Sequence, residues 1–133
     1  MVRVIKKGKV TVCRIHDIAE HKSLINLLIV RKLLFPVKGA EHFPQLAPRE
    51  ELFYSMIQAR KVGDITKLKE GLEIFKQDIK KPENMAMIKM IQKEILDQGF
   101  DVTLSCYCED VNLCHRKIVA EEFRELGYEI DIY

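Results

Sequence analysis

The chain contains no tryptophan, and aromatic residues of all kinds make up only 8% of it. Any large core must therefore be built mainly from aliphatic side chains. Glycine and proline are also scarce, 6 and 4 among 133 residues, which excludes a collagenous or linker-like chain. No charge of one sign dominates. The 22 Lys+Arg against 20 Asp+Glu leave a net charge of +2, too even to argue by itself for a nucleic-acid partner. The basic residues gathered between Arg3 and Lys9 read as a solvated terminal run. No apolar stretch is long enough to span a bilayer, because Leu24 to Val37 is interrupted by Asn26, Arg31, Lys32 and Pro36. No membrane partner is expected. The opening Met1-Val-Arg-Val-Ile-Lys-Lys7 also lacks the apolar segment and small-residue cleavage site of a secretory signal. Four cysteines in such a chain are expected to be reduced thiols in the cytosol rather than a disulfide framework.

What is present is ordinary for a globular chain, with 47% hydrophobic and 32% charged residues. A chain of 133 residues forms one domain that buries roughly two-thirds of its unfolded surface. Lys9 to Ile15 is rich in β-branched residues and predicts a strand. His16 to Ser23 reads as a connection. Leu24 to Val30 is nearly continuous in apolar character and is followed by charges, Pro36 and Gly39, which favours a buried strand. Phe35 to Pro44 is expected to be a loop.

Pro48 reads as the first residue of a helix, where its missing N–H is harmless. Glu50 and Glu51 then suit the helix dipole, Leu52, Phe53, Met56 and Ile57 form an apolar face, and Gly63 ends the helix. Asp64 is an N-cap for the next helix, on which Ile65, Leu68, Leu72, Phe75 and Ile79 share one face. A third helix carries Met87, Ile88, Ile91 and Ile95 and stops at Gln98-Gly99. Phe100 to Tyr107 predicts a strand, and Cys114 to Leu126 a helix with Val119, Phe123 and Leu126 inward. Gly127 stands where a left-handed residue is wanted, before a closing strand, Tyr128 to Tyr133. The predicted class is α/β, a small, mostly parallel sheet of about four strands with several helices in a single domain of residues 1–133.

Chemistry concentrates in Leu104-Ser-Cys-Tyr-Cys-Glu-Asp-Val-Asn-Leu-Cys-His-Arg116. This stretch joins a predicted strand to a predicted helix, the place where open α/β sheets collect ligands. Helix N-termini present free N–H groups and positive potential, which favour anions and thiolates. Three functional arrangements fit the residues. Cys106 or Cys114 can serve as a nucleophile, with His115 as base or donor and Arg116 lowering the thiol pKa or holding an anion. Arg116, His115 and the helix terminus can form an anion or nucleotide pocket without covalent chemistry. Cys106, Cys108, Cys114 and His115 can hold zinc, although the spacing is unlike common zinc modules and the adjacent Cys114 and His115 turn to one ion with difficulty. Set against all three, buried cysteines also pack simply as small apolar residues. Arg31, ending an apolar run, is a candidate for the same cleft. Cys13 reads as core, and His16, His21 and His42 as solvated.

The motif Leu104-x-Cys106, then Cys114-His115-Arg116 and Ile118-Val119-Ala120-Glu121, resembles the signature of domain-of-unknown-function family 488. Leu46-Ala-Pro-Arg-Glu-Glu-Leu52 is similar to that family's Leu-Ala-Pro-Ser-x-Glu-Leu helix start, with Arg49 where serine is usual, and Lys61-Val-Gly-Asp-Ile65 continues the likeness. The resemblance covers residues 43–133, while residues 1–42 form a variable part in which Ile29-Val-Arg31 stands for the family's second strand. It implies a compact α/β fold. It matches Cys106 and Cys114, places Cys108 where the family carries other residues, and draws attention to Asp110 as a loop carboxylate.

The expectation is an enzyme with no cofactor and no resident metal, acting on a phosphate-bearing or other anionic substrate through a reactive thiol. Cys106, Cys114 and His115 would be its catalytic groups, and Arg31, Asp110 and Arg116 its substrate-binding groups. A binding module for a nucleotide or nucleic acid is the alternative, and a structural zinc domain the second alternative.

Overall fold

A computed structural model describes residues 6–133, so the basic run beginning at Arg3 lies partly outside the described residues. Five strands form one sheet in the order β3-β2-β4-β1-β5, every neighbouring pair parallel. They are β1 (Val10–Arg14), β2 (Ile25–Leu28), β3 (Glu41–His42), β4 (Val102–Cys106) and β5 (Ile130–Ile132). The helices are α1 (Glu50–Val62), α2 (Ile65–Asp78), α3 (Pro82–Glu94) and α4 (His115–Glu125). The class is α/β, as expected, with one strand more than the sequence predicts. Among the described residues no helix is long and apolar enough to cross a membrane.

Alternation along the central strands divides the core. Val10 and Val12 of β1 and Val102 and Leu104 of β4 pack with Leu52, Met56, Leu68, Phe75, Ile88 and Phe123 of the helices. Residues of opposite phase, Cys13 and Leu28, pack with Ile15, Ile18 and Val30 from the segments that follow β1 and β2. Both faces of β4 are therefore covered, and all five of its residues are buried, as a central parallel strand requires. Cys13 is core, its Sγ 3.3 Å from Ser105 Oγ.

Helix boundaries follow the expected chemistry with informative exceptions. Asp64 accepts from the Lys67 N–H at 3.0 Å as the N-cap of α2, and Gly63 before it has φ 72°. Pro48 lies outside α1, because the chain is still extended at the N-cap Arg49, with ψ 154°, and the helix begins at Glu50 instead. Ile65 and Leu126 are exposed rather than inward. Each stands at a helix end, Ile65 as the first residue of α2 and Leu126 as the C-cap of α4. The predicted loop from Phe35 to Pro44 contains the two-residue β3, too short to carry a periodic signal. Finally, β4 and β5 flank β1 rather than pair with each other.

Candidate functional site

The central position of β4 decides where the cysteine loop stands. Cys106 is its last residue, so the loop leaves the middle of the sheet's carboxyl edge. Asp110 closes the turn by accepting from the Asn112 N–H at 2.9 Å, and a short 3-10 helix, Val111–Leu113, follows. Cys114 is the N-cap of α4, with extended φ −132° and ψ 143°. Its thiol makes no capping hydrogen bond to the helix. It turns instead to Cys106, with the two Sγ atoms 2.8 Å apart.

His115 begins α4 and is buried. Its Nε2 lies 2.6 Å from the Ile29 carbonyl. A carbonyl only accepts, so Nε2 must carry a hydrogen, and the other nitrogen is left facing the thiols. That nitrogen, Nδ1, is 3.8 Å from Cys114 Sγ. One ligating atom from each of Cys106, Cys108, Cys114 and His115 lies within 4.8 Å of the other three. Tertiary structure thus brings Cys108 into the cluster, where the resemblance alone had set it apart. It also turns the adjacent Cys114 and His115 toward a common point.

Arg116 is 1% exposed. Its Nε and Nη2 donate to a main-chain oxygen of Tyr133 at 3.2 and 3.1 Å, and its Nη1 donates to the Cys108 carbonyl at 2.7 Å and lies 3.4 Å from Cys106 Sγ. No Asp or Glu pairs with it among the described residues. A buried guanidinium is costly unless a counter-charge or full hydrogen bonding compensates it, and the sulfur of Cys106 is one contact that can carry negative charge toward it. Burial works to raise the Cys106 pKa, but hydrogen bonds from Cys108 and Cys114 and the charges of His115 and Arg116 hold it well below the ordinary thiol value. The neighbours respond in the opposite sense. Hydrogen bonding to Cys106 pushes the Cys108 thiol far up, and burial, with the Cys106 hydrogen bond, pushes Cys114 up to about 12. Burial disfavours the charged form of His115, yet the Cys108 thiol and the Cys106 charge outweigh it and raise its pKa. One sulfur holds the charge, and its neighbours hold protons toward it.

Cys106, Cys108 and His115 form the floor of a cavity of about 460 Å³ that opens between α1 and the segment after β2. Arg31 lines this cavity, with Nε and Nη2 held by the carbonyls of Pro48, Pro44 and Ala47. Asp110 does not: it is exposed and engaged in its own turn, while Glu109 beside it faces Arg14 at 3.7 Å. Arg116 lies beneath the cluster rather than in the cavity wall. Arg60 is a site residue that sequence reasoning missed. From the last turn of α1 it donates to the Leu113 carbonyl at 2.6 Å and lies 3.3 Å from Cys108 Sγ. Its one sequence signal was a basic residue near a helix C-terminus, which has an ordinary dipole explanation.

The family model described as the active DUF488-N3 subclade matches residues 10–127, so the match takes in β1 and β2 as well as the cysteine loop. No curated protein and no solved structure matches the chain.

Proposed function

The chain belongs to the DUF488 family, in its active N3 subclade, and on that footing we propose that it is an enzyme acting on an anionic, phosphate-bearing substrate through the thiolate of Cys106. One observation carries this reading. Arg116 is buried with no Asp or Glu beside it, and its Nη1 lies 3.4 Å from the Cys106 sulfur at the floor of a cavity. A cation held this way favours the thiolate, the form of cysteine that attacks electrophiles. The description of the subclade as active supports chemistry over a purely packing role for the cluster.

The roles follow from position. Cys106 is the nucleophile because it lines the cavity and touches the guanidinium. Cys114 stays protonated and donates to it, and does not line the cavity. His115, whose tautomer is set by Ile29, takes the proton that Cys106 releases and can return it to a leaving group. In such a step an S–P or S–C bond forms, the bond to the leaving group breaks, and that group departs with the returned proton. Arg31 and Arg60 stand at the wall to receive the anionic part of the substrate.

Iodoacetamide labelling mapped by mass spectrometry tests the reading. Cys106 is expected to be alkylated at rates that stay high well below pH 8.5, near which an ordinary thiol titrates at about that value. The sign is set by thiolate fraction: a lowered pKa keeps Cys106 reactive on acidification until the pH falls through that lowered value. A Cys106 rate that titrates like a free thiol sinks the proposal.

A second reading rests on the convergence of four ligating atoms within 4.8 Å. Cys106, Cys108, Cys114 and His115 form a donor set that suits zinc. It stands second because Zn–S bonds of about 2.3 Å separate two sulfurs by roughly 3.8 Å in a tetrahedron, so the 2.8 Å contact of Cys106 with Cys114 would have to open. Elemental analysis of protein expressed with added zinc separates the two. One zinc per chain, lost together in Cys108→Ser and Cys114→Ser variants, would establish the metal site.

A further inference from the structure

The wall of the cavity has a composition that the thiol chemistry does not require. Four cationic side chains line it, Arg31, Lys32, Arg60 and Lys61, and no carboxylate does. None of the four makes an ion pair among the described residues, although the chain as a whole is close to charge balance. Lys32, Arg60 and Lys61 are exposed, so their charges face the cavity mouth and the solvent. Such clustering raises the local potential for anions, an effect that an even mixture of signs would cancel.

The same wall carries flat apolar surface. Phe53, Tyr54 and Tyr107 line it, with aliphatic side chains between them. Phe53 and Tyr54 have ring centroids 5.4 Å apart at an interplanar angle of 57°, so they form two facets of a corner rather than a stack. Tyr107 is fixed from behind: its hydroxyl accepts the Leu34 N–H at 2.8 Å, and its ring meets the edge of Phe35 with centroids 5.6 Å apart. Tyr54 remains 52% exposed, and its hydroxyl has no hydrogen-bonded partner among the described residues. In a chain with so few aromatic residues, three around one cavity form a surface suited to a planar group.

We infer that the ligand of this cavity joins one phosphate-like anionic group to one flat aromatic ring, as a mononucleotide or an aryl phosphate does. This rests on the Cys106 reading for its site and deepens it by naming the substrate class. The anionic group lies among Arg31, Lys32, Arg60 and Lys61, and the ring lies on the corner of Phe53, Tyr54 and Tyr107. A cavity of about 460 Å³ is within the range of small-molecule sites. A nucleic-acid strand would instead need a basic groove running beyond the cavity.

Isothermal titration calorimetry of the full chain tests the inference, and Cys106→Ser protein run in parallel separates binding from thiol chemistry. The probes are the four common nucleoside monophosphates and phenyl phosphate, each compared with its dephosphorylated form and with inorganic phosphate. At least one phosphorylated probe is expected to bind about tenfold or more tighter than either of its parts, as two cooperating contacts require. The Lys32→Gln, Lys61→Gln double variant should weaken that probe and leave its dephosphorylated form unchanged. Tyr54→Ser should weaken both of these and leave inorganic phosphate unchanged. All of these residues are exposed, so the variants are expected to fold.

The inference is overturned if no phosphorylated probe exceeds its parts. It is also overturned if a single-stranded oligonucleotide is preferred, with the steep salt dependence of several phosphate contacts. Retained binding by a protein whose Cys106 titrates as an ordinary thiol would overturn the catalytic reading alone and support this one. A reactive Cys106 without ligand discrimination would do the reverse.

Discussion

Arg116 uses all three of its side-chain nitrogens inside the fold, on two main-chain oxygens and one sulfur. It therefore acts on the substrate through Cys106 and not by touching an anion in the cavity. Replacing it with glutamine should leave the main-chain oxygens of Cys108 and Tyr133 underbonded, costing about 1–3 kcal/mol in urea unfolding. The same change should also slow iodoacetamide alkylation of Cys106 at pH 7, because the thiolate loses its counter-ion. Arg116→Lys should recover part of the reactivity and less of the stability, since an ammonium keeps the charge but not the forked geometry. If alkylation of Cys106 is unchanged in Arg116→Gln, the guanidinium is not what holds the thiolate. His115 offers a parallel case. Asparagine in its place can keep a bond to the Ile29 carbonyl but carries no titrating nitrogen toward the sulfurs.

At the scale of elements, the cysteine loop is held by contacts that are remote in sequence. Arg60 of α1 ties down Leu113, and Ile29 beyond β2 orients His115. α1 and α2 must pack correctly for the first of these, and their junction depends on Gly63 and Asp64. Asp64→Ala should destabilise the fold by about 1 kcal/mol through loss of the N-cap, read as a lower urea midpoint at unchanged slope. A larger effect is expected where the chain enters β1. A methyl group on Gly8 would lie 1.8 Å from the Phe100 carbonyl oxygen, a backbone atom that cannot swing aside. Gly8→Ala should cost at least about 1–3 kcal/mol, the usual range for overpacking, and a neutral result would show that the entry to β1 shifts freely.

Across the whole molecule, the last strand reaches back to the site. β5 is an edge strand paired with β1, and beyond it the Tyr133 N–H donates to the Val12 carbonyl at 2.9 Å. A main-chain oxygen of Tyr133 then receives Nε and Nη2 of Arg116. Removing residues 130–133 should lower the melting temperature and, by releasing Arg116, move Cys106 reactivity toward that of an ordinary thiol. Tyr133→Ala keeps the main-chain oxygen and should leave Cys106 reactivity in place, although it loses the ring stacked on His21 with centroids 3.9 Å apart. Equal losses in both variants would mean that the aromatic stack, and not the main-chain oxygen, supports the site.

Local signals determined much of this protein. Hydrophobic runs and β-branched residues marked β1, β2 and β4, Asp64 and Gly127 marked helix ends, and the Cys106 to Arg116 motif marked both the site and the family. These features depend on neighbours within a few residues, which is what a linear pattern records. Only the tertiary structure decided strand order, the entry of Cys108 into the cluster, the outward engagement of Asp110, and the arrival of Arg60. Each of these depends on pairs brought together by a parallel sheet whose connections skip over neighbouring strands. The charge on Cys106 belongs to the same class. A thiol's pKa follows from what surrounds it in space, and Arg116 meets Cys106 because α4 begins where β4 ends.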